Sequence, residues 1–184
     1  MKKIIAKLIL TVLRWKIIDN VKPTDPSVIL FAPHTSFADG FLGKLFFWAL
    51  GLKHKHKLIM TDKYFYWWSA PILKFFGFVP VGSKSSRNAI IDAAKTIRED
   101  GNSILICPEG HLRAVEDWNP GVYLIAKKAE CPVVFAVLDY KNKQGGLLDV
   151  MGPEEITWNG IKEKSWDLYS PIQAKHPEKF LLPK

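Results

Sequence analysis

Apolar and polar positions switch between two periods along this chain, and the switches outline its elements. Residues 27–33 (SVILFAP) form a short unbroken apolar run, the mark of a strand buried on both faces. Residues 39–50 are apolar around most of a helical circumference and predict a helix stopped by Gly51. A second strand is predicted over 56–60, then a bulky aromatic helical stretch over 64–76 that breaks near Pro71. Next come a third strand at 78–81, an amphipathic helix at 86–100 ended by Asp100-Gly101, and an apolar strand at 103–107. A helix over 120–129 precedes the longest strand pattern, 132–140. Beyond Tyr140 the pattern weakens: 147–151 reads as an edge strand, and the tail from Lys162 has no clear period. Strands alternating with helices predict an α/β fold, a mostly parallel central sheet flanked by helices.

The first 20 residues, MKKIIAKLILTVLRWKIIDN, follow a different rule. They open basic and turn apolar like a signal peptide, yet no small-residue cleavage site follows. Lys7, Arg14 and Lys16 interrupt a stretch already short of the ~20 apolar residues that a membrane span needs. On a helical projection Lys3, Lys7 and Arg14 gather near one stripe, while Ile4, Ile5, Leu8, Ile9, Val12 and Trp15 cover a broad opposite face. That pattern suits an amphipathic helix lying in a bilayer interface; the plainer alternative is a helix that packs on the domain. Two prolines within 22–26 mark a linker, so the chain divides into a helix at 1–20 and one domain at 21–184.

Composition narrows the partners. The 184 residues carry a net charge of +8, with seven Trp and 48% hydrophobic residues. Such a balance favours anionic partners, either nucleic acid or an acidic lipid surface. The basic residues are scattered and no nucleic-acid-binding module is recognisable, which leaves a membrane surface with anionic lipids. Two cysteines, Cys107 and Cys131, make no disulfide framework and suit a reducing, cytoplasmic setting. His54 and His56 lack further suitably spaced ligands, so no metal is expected.

Candidate chemistry sits at three strand ends. Pro33-His34-Thr35-Ser36-Phe37-Ala38-Asp39 places a His-x-x-x-x-Asp between a strand and a helix start. A loop of that length lets the carboxylate face one imidazole nitrogen and leaves the other outward as a base. This is two-thirds of a catalytic triad, with the nucleophile left to a substrate. A capped helix beside an ordinary histidine fits the same spacing. Cys107-Pro108-Glu109-Gly110-His111-Leu112-Arg113 follows another apolar strand, and its turn chemistry puts a carboxylate and an exposed amide at the sheet's edge, although taken alone it reads as an ordinary surface turn. Gly77-Phe78-Val79-Pro80-Val81-Gly82-Ser83-Lys84-Ser85-Ser86-Arg87 runs from a strand into a Gly/Ser loop with two cations ahead of a helix, either a place for a phosphate, though without the P-loop pattern, or a flexible polar loop.

Together and in this order, the three segments resemble the glycerolipid acyltransferase family typified by lysophosphatidic acid acyltransferases. A fourth, Cys131-Pro132-Val133-Val134-Phe135-Ala136-Val137, resembles that family's Val-Pro-(Ile/Val)-x-Pro-Val strand. The likeness spans residues 28–140 and extends to short bacterial members, through the Pro-His-Thr-Ser opening and Trp118-Asn119-Pro120-Gly121-Val122-Tyr123. It implies that His34, held by Asp39, takes the proton of a lysophospholipid hydroxyl attacking the thioester of acyl-CoA or acyl carrier protein. No metal and no organic cofactor is implied. Glu109 and Gly110 would shape the acceptor site, with Lys63 adding a cation, and Phe41, Leu45, Phe46, Trp48 and residues 64–68 could line an acyl groove. The expected setting is the cytoplasmic face of a membrane, with peripheral or monotopic attachment. Two departures stand out. Gly82-Ser83 replaces the family's Asp-Arg and His111-Leu112 its Thr-Arg, so the usual phosphate-binding arginines are displaced, with Lys84, Arg87 and Arg113 close by. Two alternatives remain open, a thioester or lipid hydrolase and a non-catalytic membrane-binding protein on the same scaffold.

Overall fold

The computed structural model describes residues 1–22, 26–52, 56–62, 65–81 and 86–184, without the side chains of 60, 61, 81, 86 and 87. It contains α1 (Lys2–Val12), β1 (Lys16–Asp19), β2 (Val28–Phe31), α2 (Phe37–Leu50), β3 (His56–Thr61), α3 (Ala70–Phe75) and β4 (Phe78–Val81). Then follow α4 (Ser86–Arg98), β5 (Ser103–Ile106), α5 (Gly121–Ala129), β6 (Val133–Asp139), β7 (Gln144–Met151) and α6 (Trp158–Leu168). The strands form one sheet in the order β1-β7-β6-β2-β5-β3-β4. Among these, only β6 and β7 pair antiparallel; the other pairs are parallel. This is the expected α/β architecture.

β2 is central, and all four of its residues are buried. Alternation along a strand sends successive side chains to opposite faces. Val28 and Leu30 therefore join the core under α4 and α5, with Ala93, Ile97, Val122 and Ile125. Ile29 and Phe31 join the core under α1 and α2, with Ala6, Leu10, Phe46 and Phe47. Because both faces are covered, β2 lacks a polar side, and its sequence reads as an unbroken apolar run.

Four elements differ from expectation. The periodicity extends the first helix to residue 20, but α1 ends at Val12 and Lys16–Asp19 forms edge strand β1 beside β7. Arg14 takes a positive φ of 60° and breaks the helix, freeing Ile17 and Ile18 for strand pairing. β1 can approach because its neighbour carries Gly146, where a Cβ would lie 1.9 Å from the Ile18 carbonyl oxygen. β7 is accordingly an interior strand between β6 and β1, not an edge. The aromatic stretch is helical only over Ala70–Phe75, and Pro71 stands in the first turn, where a missing N–H costs nothing. The tail without a clear period holds α6, capped by the Thr157 hydroxyl on the Gly160 amide and anchored through Ile161 and Ser165.

α1 buries a narrow seam, Ala6 and Leu10, against the layer that includes α2. Ile4, Ile5, Leu8, Ile9 and Val12 are left exposed. The Lys2 ammonium lies 5.4 Å from the Trp48 ring and 5.5 Å from that of Phe75, which brings the start of α1 beside the end of α3. There Tyr66, Trp67, Trp68, Ile72 and Phe75 are exposed too, Trp67 to 90%. Among the described residues no helix is long and apolar enough to cross a membrane.

Candidate active site

The chain leaves β2 and turns through residues 32–36 into α2. Ser36 caps the helix with its hydroxyl on the Ala38 amide, and Asp39 at the third helical position completes a reciprocal capping box. Asp39 is fully buried. Its Oδ2 accepts the amides of Thr35 and Ser36, both at 2.8 Å, and its Oδ1 accepts the Tyr140 hydroxyl at 2.6 Å. The capped helix and the polar pair are thus one arrangement, because the carboxylate that ties the loop also faces the histidine. His34 Nδ1 stands 3.4 Å from Asp39 Oδ2. That contact is close enough for ionic attraction but is not a well-formed hydrogen bond, and Nδ1 is buried without another partner. The ring keeps 21% of its exposure, away from that nitrogen.

Glu109 reaches the same loop from the turn after β5. Its Oε1 accepts the His34 backbone amide at 2.8 Å, while its Oε2 is buried without a partner among the described residues. Burial pushes the carboxyl up to about 7, despite the opposing pull of His34. Burial likewise raises the Cys107 thiol, which lies against the imidazole. Burial alone would favour neutral His34, but Cys107, Asp39 and Glu109 outweigh it and raise its pKa well above the ordinary imidazole value. Since burial keeps Cys107 protonated, we attribute the attraction chiefly to the Asp39 carboxylate. Burial opposes ionisation of Asp39 as well, and there the attraction of His34 and the hydrogen bond from Tyr140 win and lower its pKa.

The structure therefore brings His34, Asp39 and Glu109 together. The Gly110 amide, expected to be exposed, instead donates to the Cys107 carbonyl at 3.1 Å. Arg113 is exposed, four residues beyond Glu109. Lys63 and Lys84 lie outside the described residues, as does the side chain of Arg87 in the first turn of α4. Of the expected groove residues, Phe46 is core, Phe41 packs edge-on against Phe76 at 5.0 Å, and Trp48 stacks on Phe76 at 5.8 Å. His56 stacks on Phe47 with 5.2 Å between ring centroids.

Several neighbours of the pair carry no signal in the sequence. Tyr140 touches Asp39 from 101 residues away. The C-terminal tail closes over the loop: Lys175 Nζ donates to Ser36 Oγ at 3.5 Å, and the His176 amide to Thr35 Oγ1 at 3.2 Å. Beneath them the buried Tyr169 hydroxyl bridges the carbonyls of Leu30 and Ala136 at 3.3 and 3.2 Å, joining β2 to β6.

The sequence profile of the Acyltransferase family matches residues 14–138, well over half of the 184. The chain belongs to the acyltransferase family. A search of curated proteins found no match. In fold, this acyltransferase is similar to PlsC, a 1-acyl-sn-glycerophosphate (LPA) acyltransferase from Thermotoga maritima, with a TM-score of 0.60. The likeness covers 91% of this chain and 74% of that one at 14% identity. In the acyltransferase His34 and Asp39 stand at the C-terminal end of β2, and Glu109 at that of neighbouring β5, the edge where parallel α/β sheets hold ligands.

Proposed function

We propose that this acyltransferase moves a fatty acyl group from acyl-CoA or acyl carrier protein to the hydroxyl of a lysophospholipid such as 1-acylglycerol 3-phosphate. The observation that carries the reading is a partly exposed His34 whose buried nitrogen faces an ionised, fully buried Asp39. In this mechanism the outer imidazole nitrogen takes the acceptor's hydroxyl proton as its oxygen attacks the thioester carbonyl. Asp39 stabilises the imidazolium that forms and holds its tautomer. Collapse of the tetrahedral intermediate expels the donor's thiolate, which takes the proton back from His34. The oxygen nucleophile comes from the acceptor, so the route requires no acyl-enzyme, metal or organic cofactor.

Cations around this loop favour a phosphate-bearing acceptor. Arg113 lies beyond Glu109, Lys175 reaches Ser36, Arg87 belongs to the first turn of α4, and Lys63 and Lys84 follow Thr61 and Val81 closely in the sequence. The acceptor and product are lipids, and the exposed apolar side chains of α1 and of residues 66–75 supply a face that can enter a bilayer. With a net charge of +8, that face suits peripheral attachment to an anionic, cytoplasmic membrane surface.

Incubating the purified protein with labelled acyl-CoA and a panel of lysolipids tests the reading. A diacyl product formed from lysophosphatidic acid supports it. Release of free fatty acid alone, indifferent to any acceptor, would assign the pair to hydrolysis instead.

A further inference from the structure

Asp39 is held more firmly than a helix cap requires. The two amides on Oδ2 already complete the turn into α2. The third bond, from the Tyr140 hydroxyl to Oδ1 at 2.6 Å, comes from the residue just after β6 and plays no part in the cap. Tyr140 is fixed in its turn. Its amide donates to the Gln173 carbonyl at 2.9 Å, and its ring meets Trp15 edge-on at 5.1 Å. Trp15 also rests against Phe46 of α2 at 5.7 Å. The segment after α1, the end of β6 and the C-terminal tail thus combine to aim one hydroxyl at one carboxylate oxygen.

We propose that Tyr140 is a positioning residue of the His34–Asp39 pair, locking the Asp39 carboxylate so that Oδ2 stays turned toward His34 Nδ1. The inference rests on reading His34 as the base. The carboxyl torsion of an aspartate is soft and broadly two-fold, so two amides on one oxygen leave the other free to swing. Without the hydroxyl, Oδ1 would be a buried charged oxygen short of a donor, and the group would turn toward whatever donor it could reach. With the carboxylate turned away, the imidazolium would lose its nearest counter-charge, and the histidine would hold its proton less tightly.

The other groups facing the pair stay in place in Tyr140→Phe. They are the Thr35 and Ser36 amides ahead of α2, Cys107 and Glu109 beyond β5, Tyr169 beneath, and Lys175 and His176 of the tail. The phenyl ring keeps its contact with Trp15, so any difference reports the hydroxyl.

The test follows His34 by NMR titration in the 184-residue protein, with the His34→Ala spectrum assigning the signal, and measures initial rates with acyl-CoA and 1-acylglycerol 3-phosphate. In Tyr140→Phe the imidazole should titrate about half a unit lower, and kcat should fall roughly tenfold with both KM values nearly unchanged. The melting temperature should move little. An unshifted or raised His34 titration in a folded Tyr140→Phe protein overturns the inference, whatever the rate. A wild-type rate in folded His34→Ala would instead overturn the reading of the base on which the inference depends.

Discussion

The β2–α2 loop and the outer face of α1 break the usual rule of burial in opposite directions. At the loop, charge is buried: Asp39 is fully enclosed, Glu109 nearly so, and most of their oxygens are matched by donors. On α1 and around α3, large apolar side chains stand in the open, with Ala6 and Leu10 alone buried along α1. Each inversion costs folding free energy, the first through desolvation and the second through unburied apolar surface. The proposed function gives both a reason: a substrate hydroxyl at the loop and a lipid surface at α1.

The sharpest way to break this comparison is at His34. Replacement by Ala should lower turnover roughly a thousandfold while the protein stays folded, and Asp39→Asn should cost a hundredfold or so. Because the base must be neutral and its pKa is raised, wild-type kcat/KM should keep climbing as pH rises past the ordinary imidazole range. Near-normal turnover in folded His34→Ala would reduce the loop to a well-capped turn.

The next largest effect concerns the exposed face. Changing Ile4, Leu8 and Val12 together to Ser should weaken vesicle binding by roughly a hundredfold, at about 1 kcal/mol for each side chain that enters the interface only in part, against ~1.5–3 kcal/mol for full burial. These residues face solvent, so the melting temperature should hold. Salt should weaken only the electrostatic share of binding. If the triple variant sediments with anionic vesicles as well as wild type does, the face serves something other than lipid.

A smaller effect separates donor from acceptor. Arg113→Ala and Lys175→Ala should each raise the KM for lysophosphatidic acid about tenfold, as expected for one lost charge-assisted contact, and spare that for acyl-CoA. Phosphate-free acceptors used equally well by all three proteins would remove both cations from the site.

The last concerns the stability cost of buried charge. Glu109 has a pKa of about 7 in the fold against 4.5 for an ordinary glutamate. Between those values the folded state binds more protons than the unfolded chain, so stability falls as pH rises through that window. Glu109→Gln keeps an acceptor for the His34 amide and escapes this loss. Relative to wild type it should gain up to about 3 kcal/mol between pH 5 and 8, read as a widening difference in melting temperature. A difference that stays constant with pH would show that the buried carboxylate costs the fold nothing.

Much of this protein was legible before its structure. Apart from the aromatic stretch at 64–76, the elements between residues 27 and 140 follow from local period and punctuation: the apolar run of β2, Gly51 at the end of α2, Gly101 after α4. The His34–Asp39 pair was equally visible, because a five-residue loop closes over itself and needs nothing distant. What lay hidden depends on partners far along the chain. Residues 16–19 continue a helical pattern and become a strand because β7 offers Gly146 and an open edge. Tyr140 reads as the end of a strand, and Lys175 as part of a structureless tail, until folding sets each against the loop it serves. Sequence by itself determined the pair and the succession of strands and helices around it, since hydrogen bonds within a turn and the periodicity of side chains are local. Tertiary structure alone decided what surrounds the pair: contacts spanning 75 to 141 residues leave no periodic trace in a single sequence.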